Sequence, residues 1–138
     1  DASIFQGMTN GLTADRPGFL DDFVKKFFNY EEGKKNKLSE AAVHYNWIIG
    51  SMASPKGSLD CVQAFAQTDF RNDLKKFTIP TLVVHGDKDQ IVPFEVSGKK
   101  AHELIEGCQM EIIKGGPHGL PATHAEDINR VLLDFLKQ

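Results

Sequence analysis

The sequence predicts an α/β chain: a wholly helical first part followed by a βαβα unit on two parallel strands. Three observations carry this. Thr81–His85, which holds an unbroken apolar run, and Met110–Ile113 both read as short strands, separated by a segment long enough for a turn and a helix. Ile128, Val131, Leu132, Phe135 and Leu136 recur at the i, i+3, i+4, i+7, i+8 spacing of one buried helix face. Before Asp69 there are helical periodicities and no strand-like run, so composition divides the chain into residues 1–68 and 69–138.

In the first part, residues 2–11 are compatible with a helix. Asp15 offers an N-cap with Pro17 in the following turn. Phe19, Leu20, Phe23, Val24, Phe27 and Phe28 then form an apolar stripe at helical spacing. Residues 31–37 read as a charged loop containing Gly33. Ser39 starts a further helix with Val43, Trp47 and Ile48 on one side. Residues 50–56, with Pro55, read as a break before a short helix from Ser58 that turns Leu59, Val62 and Phe65 inward. Four short helices without a strand make an accessory layer rather than a self-sufficient fold.

In the second part, Asp69 is the expected cap of a brief helix through Leu74, with Lys75 and Lys76 at its negative dipole end. The first strand's continuous apolar character suits a parallel strand covered on both faces. A turn over residues 86–93 leads to a helix through Leu104 and Ile105, which Gly107 ends. The last helix opens on an expected capping box of Thr123 and Glu126. A strand–helix–strand unit with parallel strands implies a right-handed crossover, and functional residues in such sheets collect beyond the strands' C-terminal ends.

Composition narrows the function. The 138 residues are one domain's worth of chain, 41% hydrophobic and 25% charged, with a net charge of -3. That balance gives no electrostatic reason for a nucleic-acid or anionic-membrane partner. No apolar run approaches the roughly 18 residues of a membrane span, and nothing resembles a signal peptide, so a cytoplasmic location is expected. Cys61 and Cys108 lack metal-type spacing and read as free thiols. The chain opens on Asp1-Ala2-Ser3 rather than methionine, the start expected of a cut, processed or partial polypeptide.

Beyond the first strand lies Gly86-Asp87-Lys88-Asp89-Gln90-Ile91-Val92-Pro93; beyond the second lies Gly115-Gly116-Pro117-His118-Gly119. Neighbouring strands lie about 5 Å apart, so an acid on one loop can meet a histidine on the next. A carboxylate on one imidazole nitrogen fixes the tautomer and stabilises the imidazolium formed during catalysis. The other nitrogen then serves as general base near neutral pH. His118, between proline and glycine, does not read as a core histidine. His85 ends a strand and His124 starts the last helix, so both read as structural; His44 and His102 read as exposed helix residues. No spacing supports a metal cluster.

These two loops resemble the acid and histidine loops of the α/β-hydrolase superfamily. More narrowly, Asp69-Phe70-Arg71-Asn72-Asp73-Leu74, the run from Pro80 to Asp89, and the run from Gly116 to His124 are similar to the cofactor-free haloperoxidase and perhydrolase branch, which includes non-haem chloroperoxidases, bromoperoxidases and aryl esterases. Asp21-Asp22-Phe23, Phe27-Phe28-Asn29-Tyr30 and Trp47 resemble that family's cap more loosely. The resemblance implies the C-terminal portion of an α/β-hydrolase fold: a helical cap over residues 1–68, then the last two parallel strands and their helices over 69–138. It matches Asp89 to the triad acid and His118 to the triad base. Asp87 is the rival acid, but it sits nearer the strand end and suits a turn residue bonded to local N–H groups. Phe28, Trp47, Val92 and Leu120 are the candidate substrate-pocket residues, with plain cap packing as the competing reading. No cofactor is implied.

The nucleophile elbow needs Gly-x-Ser-x-Gly. Ser3, Ser39, Ser51, Ser54, Ser58 and Ser97 all lack it; Ser51 follows Gly50, but Ala53 stands where the second glycine belongs. Two parallel strands also leave an apolar edge at Thr81–His85, where unpaired buried backbone groups cost about 1–3 kcal/mol each. A partner is therefore expected: the missing N-terminal half of the hydrolase fold, or another copy of the chain. The leading expectation is a hydrolase fragment supplying Asp89 and His118 for ester hydrolysis. With hydrogen peroxide in place of water, the resemblance implies peracid formation and halide oxidation. The substrate class is a small ester or carboxylate. The alternative is a non-catalytic, truncated remnant that oligomerises through its open sheet edge.

Overall fold

The computed structural model describes residues 2–137; Asp1, with which the chain opens in place of methionine, and Gln138 lie outside the described residues. Two compact units divide the chain. One comprises the segment through Lys25 with Ser39–Asp69, the other Lys26–Leu38 with the segment from Phe70 onward. Composition alone put a single division at 68/69; the loop after the phenylalanine stripe groups with the strands instead.

The first unit is helical. α1 (Ala2–Ala14), α2 (Arg16–Phe27, whose last two residues group with the second unit), α3 (Glu40–Met52) and α4 (Pro55–Gln67) form where the periodicities expect helices. Asp15 caps α2, its Oδ1 accepting the Gly18 N–H at 3.1 Å. Ser39 caps α3 by accepting from Ala42. The Arg16 guanidinium donates to the carbonyls of Gly50, Ser51 and Ala53 at 2.9–3.1 Å, which satisfies groups that the end of α3 leaves open. Two expectations need correction here. α4 starts at Pro55, not Ser58, because Ser54 caps it and proline is favoured in the first helical turn. Phe65 is exposed rather than inward, although it meets Phe5 edge-on at 5.6 Å.

The second unit contains α5 (Arg71–Leu74), β1 (Leu82–Gly86), a 3-10 turn (Phe94–Val96), α6 (Gly98–Leu104), β2 (Gln109–Ile113), α7 (Leu120–Thr123) and α8 (Ala125–Leu136). β1 and β2 pair in parallel, from Leu82 opposite Gln109 to Gly86 opposite Ile113. Ile113, Leu120 and Val131 form the buried cluster, with Leu82, Val84 and Ile128 packed against it.

Three sequence expectations differ in this unit. Asp69 does not cap α5, which begins after Phe70 and has no side-chain cap. Thr123 is the last residue of α7, not the cap of α8, and its hydroxyl donates back to the Gly119 carbonyl at 3.1 Å. Of the apolar face of α8, Val131 is buried, but Leu132 and Leu136 are exposed. A two-stranded sheet is too narrow to cover the whole stripe. Each strand also has one edge with no strand partner among the described residues.

Candidate functional site

The site lies beyond the C-terminal ends of β1 and β2, in the second unit. The strand ends approach closely at Gly86, where a Cβ would run into the Gly116 and Pro117 backbone. A side chain at position 86 would therefore force the two loops apart. Backbone bonds join them: Asp87 N–H donates to Ile113 O at 3.2 Å and Lys88 N–H to Gly116 O at 3.0 Å.

Within this frame His118 Nδ1 and Asp89 Oδ2 are 2.8 Å apart. Asp89 Oδ1 accepts the N–H groups of Ile91 at 2.9 Å and Val92 at 2.8 Å. The Asp89 side chain is only 4% exposed, whereas that of His118 is 34% exposed. Burial pushes the Asp89 carboxyl up, but the Val92 N–H, His118 and the Ile91 N–H together outweigh it. The acid is held below the ordinary carboxylate value. An ionised carboxylate can only accept, so the proton between the pair belongs to His118 Nδ1; in the neutral imidazole the lone pair is then on Nε2. His118 Nε2 makes no hydrogen bond with the described residues.

The imidazole is also held from the side. The Phe27 ring meets it edge-on, with centroids 4.7 Å apart and planes at 75°. Phe27 O accepts the Gly119 N–H at 2.9 Å, which ties the residue after His118 to the end of α2. Asn29, in a left-handed backbone conformation with φ 51°, holds the loop that carries Asp89. Its amide donates to Lys88 O at 2.8 Å and accepts from Gln90 Nε2 at 2.7 Å.

The other sequence candidates divide. Val92 is half-buried, and its N–H forms part of the carboxylate cradle. Phe28 is buried, and a Cβ at Gly119 would meet its ring. Leu120 belongs to the buried cluster with Ile113 and Val131. Trp47 belongs to the first unit, where its indole N–H donates to Pro17 O at 3.0 Å and its ring stacks on His44. Asp87 Oδ1 accepts the Gly115 N–H at 2.6 Å. It is thus a backbone-bonded residue as expected, but its partner lies on the other loop rather than in its own turn. A cleft of about 450 Å³ in this unit is lined in part by Phe28, Asn29, Lys114, Pro117 and His124, and does not include His118 or Asp89.

Sequence reasoning missed three contributors: Phe27 and Asn29, distant in sequence from the loops they hold, and His85. His85 Nε2 lies 3.0 Å from Val92 O and 3.4 Å from Asp89 Oδ2. Its spacing of four residues from Asp89 was visible, but in a strand-to-loop segment that spacing carries no geometric meaning. His124 Nδ1 meets the Thr123 hydroxyl at 2.9 Å, and His44 and His102 are exposed as expected. Among the described residues, no group of three or more His, Cys, Asp or Glu side chains is placed to hold a metal. Cys61 is exposed and Cys108 buried, both free. No described helix is long and apolar enough to cross a membrane.

Parallel strands with chemistry-bearing loops at their C-terminal ends, beside a set of helices, are the architecture of α/β-hydrolases, and solved structures bear this out. A bromoperoxidase from Bacillus anthracis superposes with a TM-score of 0.93 at 52% identity, covering 100% of this chain and 50% of its own. A bifunctional esterase/perhydrolase of Acinetobacter calcoaceticus is 40% identical over 134 residues, 97% of this chain and 49% of that protein. A non-heme chloroperoxidase of Kitasatospora aureofaciens is 36% identical over 137 residues, 98% of this chain and 50% of that protein. No protein-family model matches the chain. The chain has the fold of part of an α/β-hydrolase, and its homologues are non-heme haloperoxidases and esterases. It spans about half the length of the curated relatives it matches.

Proposed function

We propose that this chain is the C-terminal, acid- and base-bearing portion of a serine-type hydrolase, with Asp89 as triad acid and His118 as triad base. The observation that carries the reading is the 2.8 Å bond between His118 Nδ1 and the buried Asp89 carboxylate, with Nε2 unengaged among the described residues. His118 Nε2 takes the proton of a serine hydroxyl supplied from outside this chain, and the oxygen attacks an ester carbonyl. The same imidazolium then protonates the departing alcohol, leaving an acyl-enzyme. In the second half-reaction His118 deprotonates water, and the free acid leaves as the serine recovers its proton. Hydrogen peroxide in place of water releases a peracid instead. That peracid oxidises halide to hypohalous acid while being reduced to the carboxylic acid, so no metal or haem takes part. Names borne by the relatives include both esterase and perhydrolase, which supports keeping both outcomes for one site.

The partner of this reading is the complementary half of the fold. β1 and β2 each lack a strand partner on one side among the described residues, and Ile112, Leu133 and Leu136 are exposed. The small acyl ester is then bound between the halves. A test mixes the purified 138-residue chain with a polypeptide bearing the serine elbow and most of the sheet, and follows hydrolysis of a small aryl ester and peracid release. Activity should appear only on mixing and vanish with His118→Ala. Activity on mixing that survives His118→Ala would overturn the triad assignment. A stable, folded oligomer of the chain alone, inert with every elbow-bearing partner, would instead favour a non-catalytic remnant associated through its sheet edge.

A further inference from the structure

We propose that His85 is a positioning residue for the Asp89–His118 pair, supporting the carboxylate at the same oxygen that receives the catalytic imidazole; this rests on the reading of that pair given above. The Val92 peptide is the link. Its N–H donates to Asp89 Oδ1 at 2.8 Å, and its carbonyl lies 3.0 Å from His85 Nε2. A carbonyl oxygen only accepts, so His85 carries its proton on Nε2. That N–H also lies 3.4 Å from Asp89 Oδ2, the oxygen that receives His118. Both side chains are nearly buried, 11% exposed for His85 and 4% for Asp89.

The environment of His85 fits this role. A Cβ at Gly98 would collide with its ring, and Phe94 lies against it with centroids 5.5 Å apart. The ring is therefore confined to one orientation by a glycine below and an aromatic beside it. Four donors surround one carboxylate: the Ile91 and Val92 amides on Oδ1, His118 on Oδ2, and the His85 N–H approaching Oδ2 at longer range. With both oxygens occupied, the carboxyl plane cannot rotate away from His118 without breaking several contacts. His85 touches neither substrate nor nucleophile in this arrangement; it acts through Asp89.

The test reads imidazole protons in a long-range ¹H–¹⁵N spectrum of the labelled 138-residue chain. The wild-type chain should show His118 protonated on Nδ1 and His85 on Nε2. His85→Gln, whose amide can donate to Val92 O, should leave the His118 Nδ1 proton at its wild-type position. His85→Leu, which cannot donate, should shift or broaden that proton while amides outside residues 85–93 keep their positions. An unchanged His118 proton in His85→Leu would overturn the proposal. So would a wild-type His85 carrying its proton on Nδ1, a result that needs no variant to fold. A wild-type His118 lacking the Nδ1 proton would instead overturn the catalytic pair itself.

Discussion

The Gly119 amide donates to the carbonyl of Phe27 at 2.9 Å, so the residue after the candidate base is fastened to the end of a helix ninety-odd residues earlier in the chain. The Phe27 ring then lies edge-on to His118. Gly119 is required here by space, since its φ of -79° suits any residue, while a Cβ would meet both the Phe28 and Phe27 rings. Gly119→Ala should therefore destabilise the chain by about 1–3 kcal/mol through overpacking. Urea unfolding of the two proteins measures this; equal midpoints would show that the contact yields freely.

Asn29 combines a left-handed backbone with two side-chain bonds to the loop that carries Asp89. Asn29→Ala loses both bonds and puts a less tolerant residue at positive φ, which together should cost about 1–2 kcal/mol. Asn29→Gly should recover the backbone part alone. If alanine and glycine prove equally costly, the backbone conformation contributes nothing.

The depressed pKa of Asp89 gives a signed pH dependence. The unfolded carboxyl titrates near about 3.9, and the folded one lower, because burial is outweighed by the Val92, His118 and Ile91 contacts. Between those values the unfolded state binds the proton while the folded state does not, so stability rises with pH. The contribution is fully present above the unfolded value and is lost as pH falls through the folded one. Asp89→Asn should flatten this acid limb in denaturant midpoints measured from pH 5 downward, and a limb of undiminished slope would locate the effect elsewhere.

Asp89 and Asp87 make separable predictions as the triad acid. In the assembly that supplies a serine, Asp89→Asn should lower kcat about 10³–10⁴-fold, as expected when the imidazole loses its orienting charge. Asp87→Asn keeps a carbonyl oxygen able to accept from Gly115, so its effect should stay within about tenfold. Reversal of that order in steady-state kinetics would make Asp87 the acid.

Much of the site was legible in the residues. The loop from Asp87 to Pro93 and the loop from Gly115 to Gly119 follow short runs that read as strands, and strands of a βαβ unit bring their C-terminal loops together. Helix periodicity placed most helices, and it failed where two signals competed. Pro55 read as a breaker proved to be a helix start, and Thr123 read as a cap proved to end α7. Both depend on which neighbouring residue takes the capping role, a choice settled only when the chain is folded.

The amino-acid order by itself determined the helical and strand segments, the two chemistry-bearing loops, and the lack of an elbow serine, because each is written in residue type and spacing over a few turns. Tertiary structure alone decided that Phe27 and Asn29 flank those loops, that Asp87 bonds Gly115, and that His85 leans on Asp89. Those meetings depend on where the backbone returns after tens of residues, and the atoms concerned carry no local signal of the partner they will find.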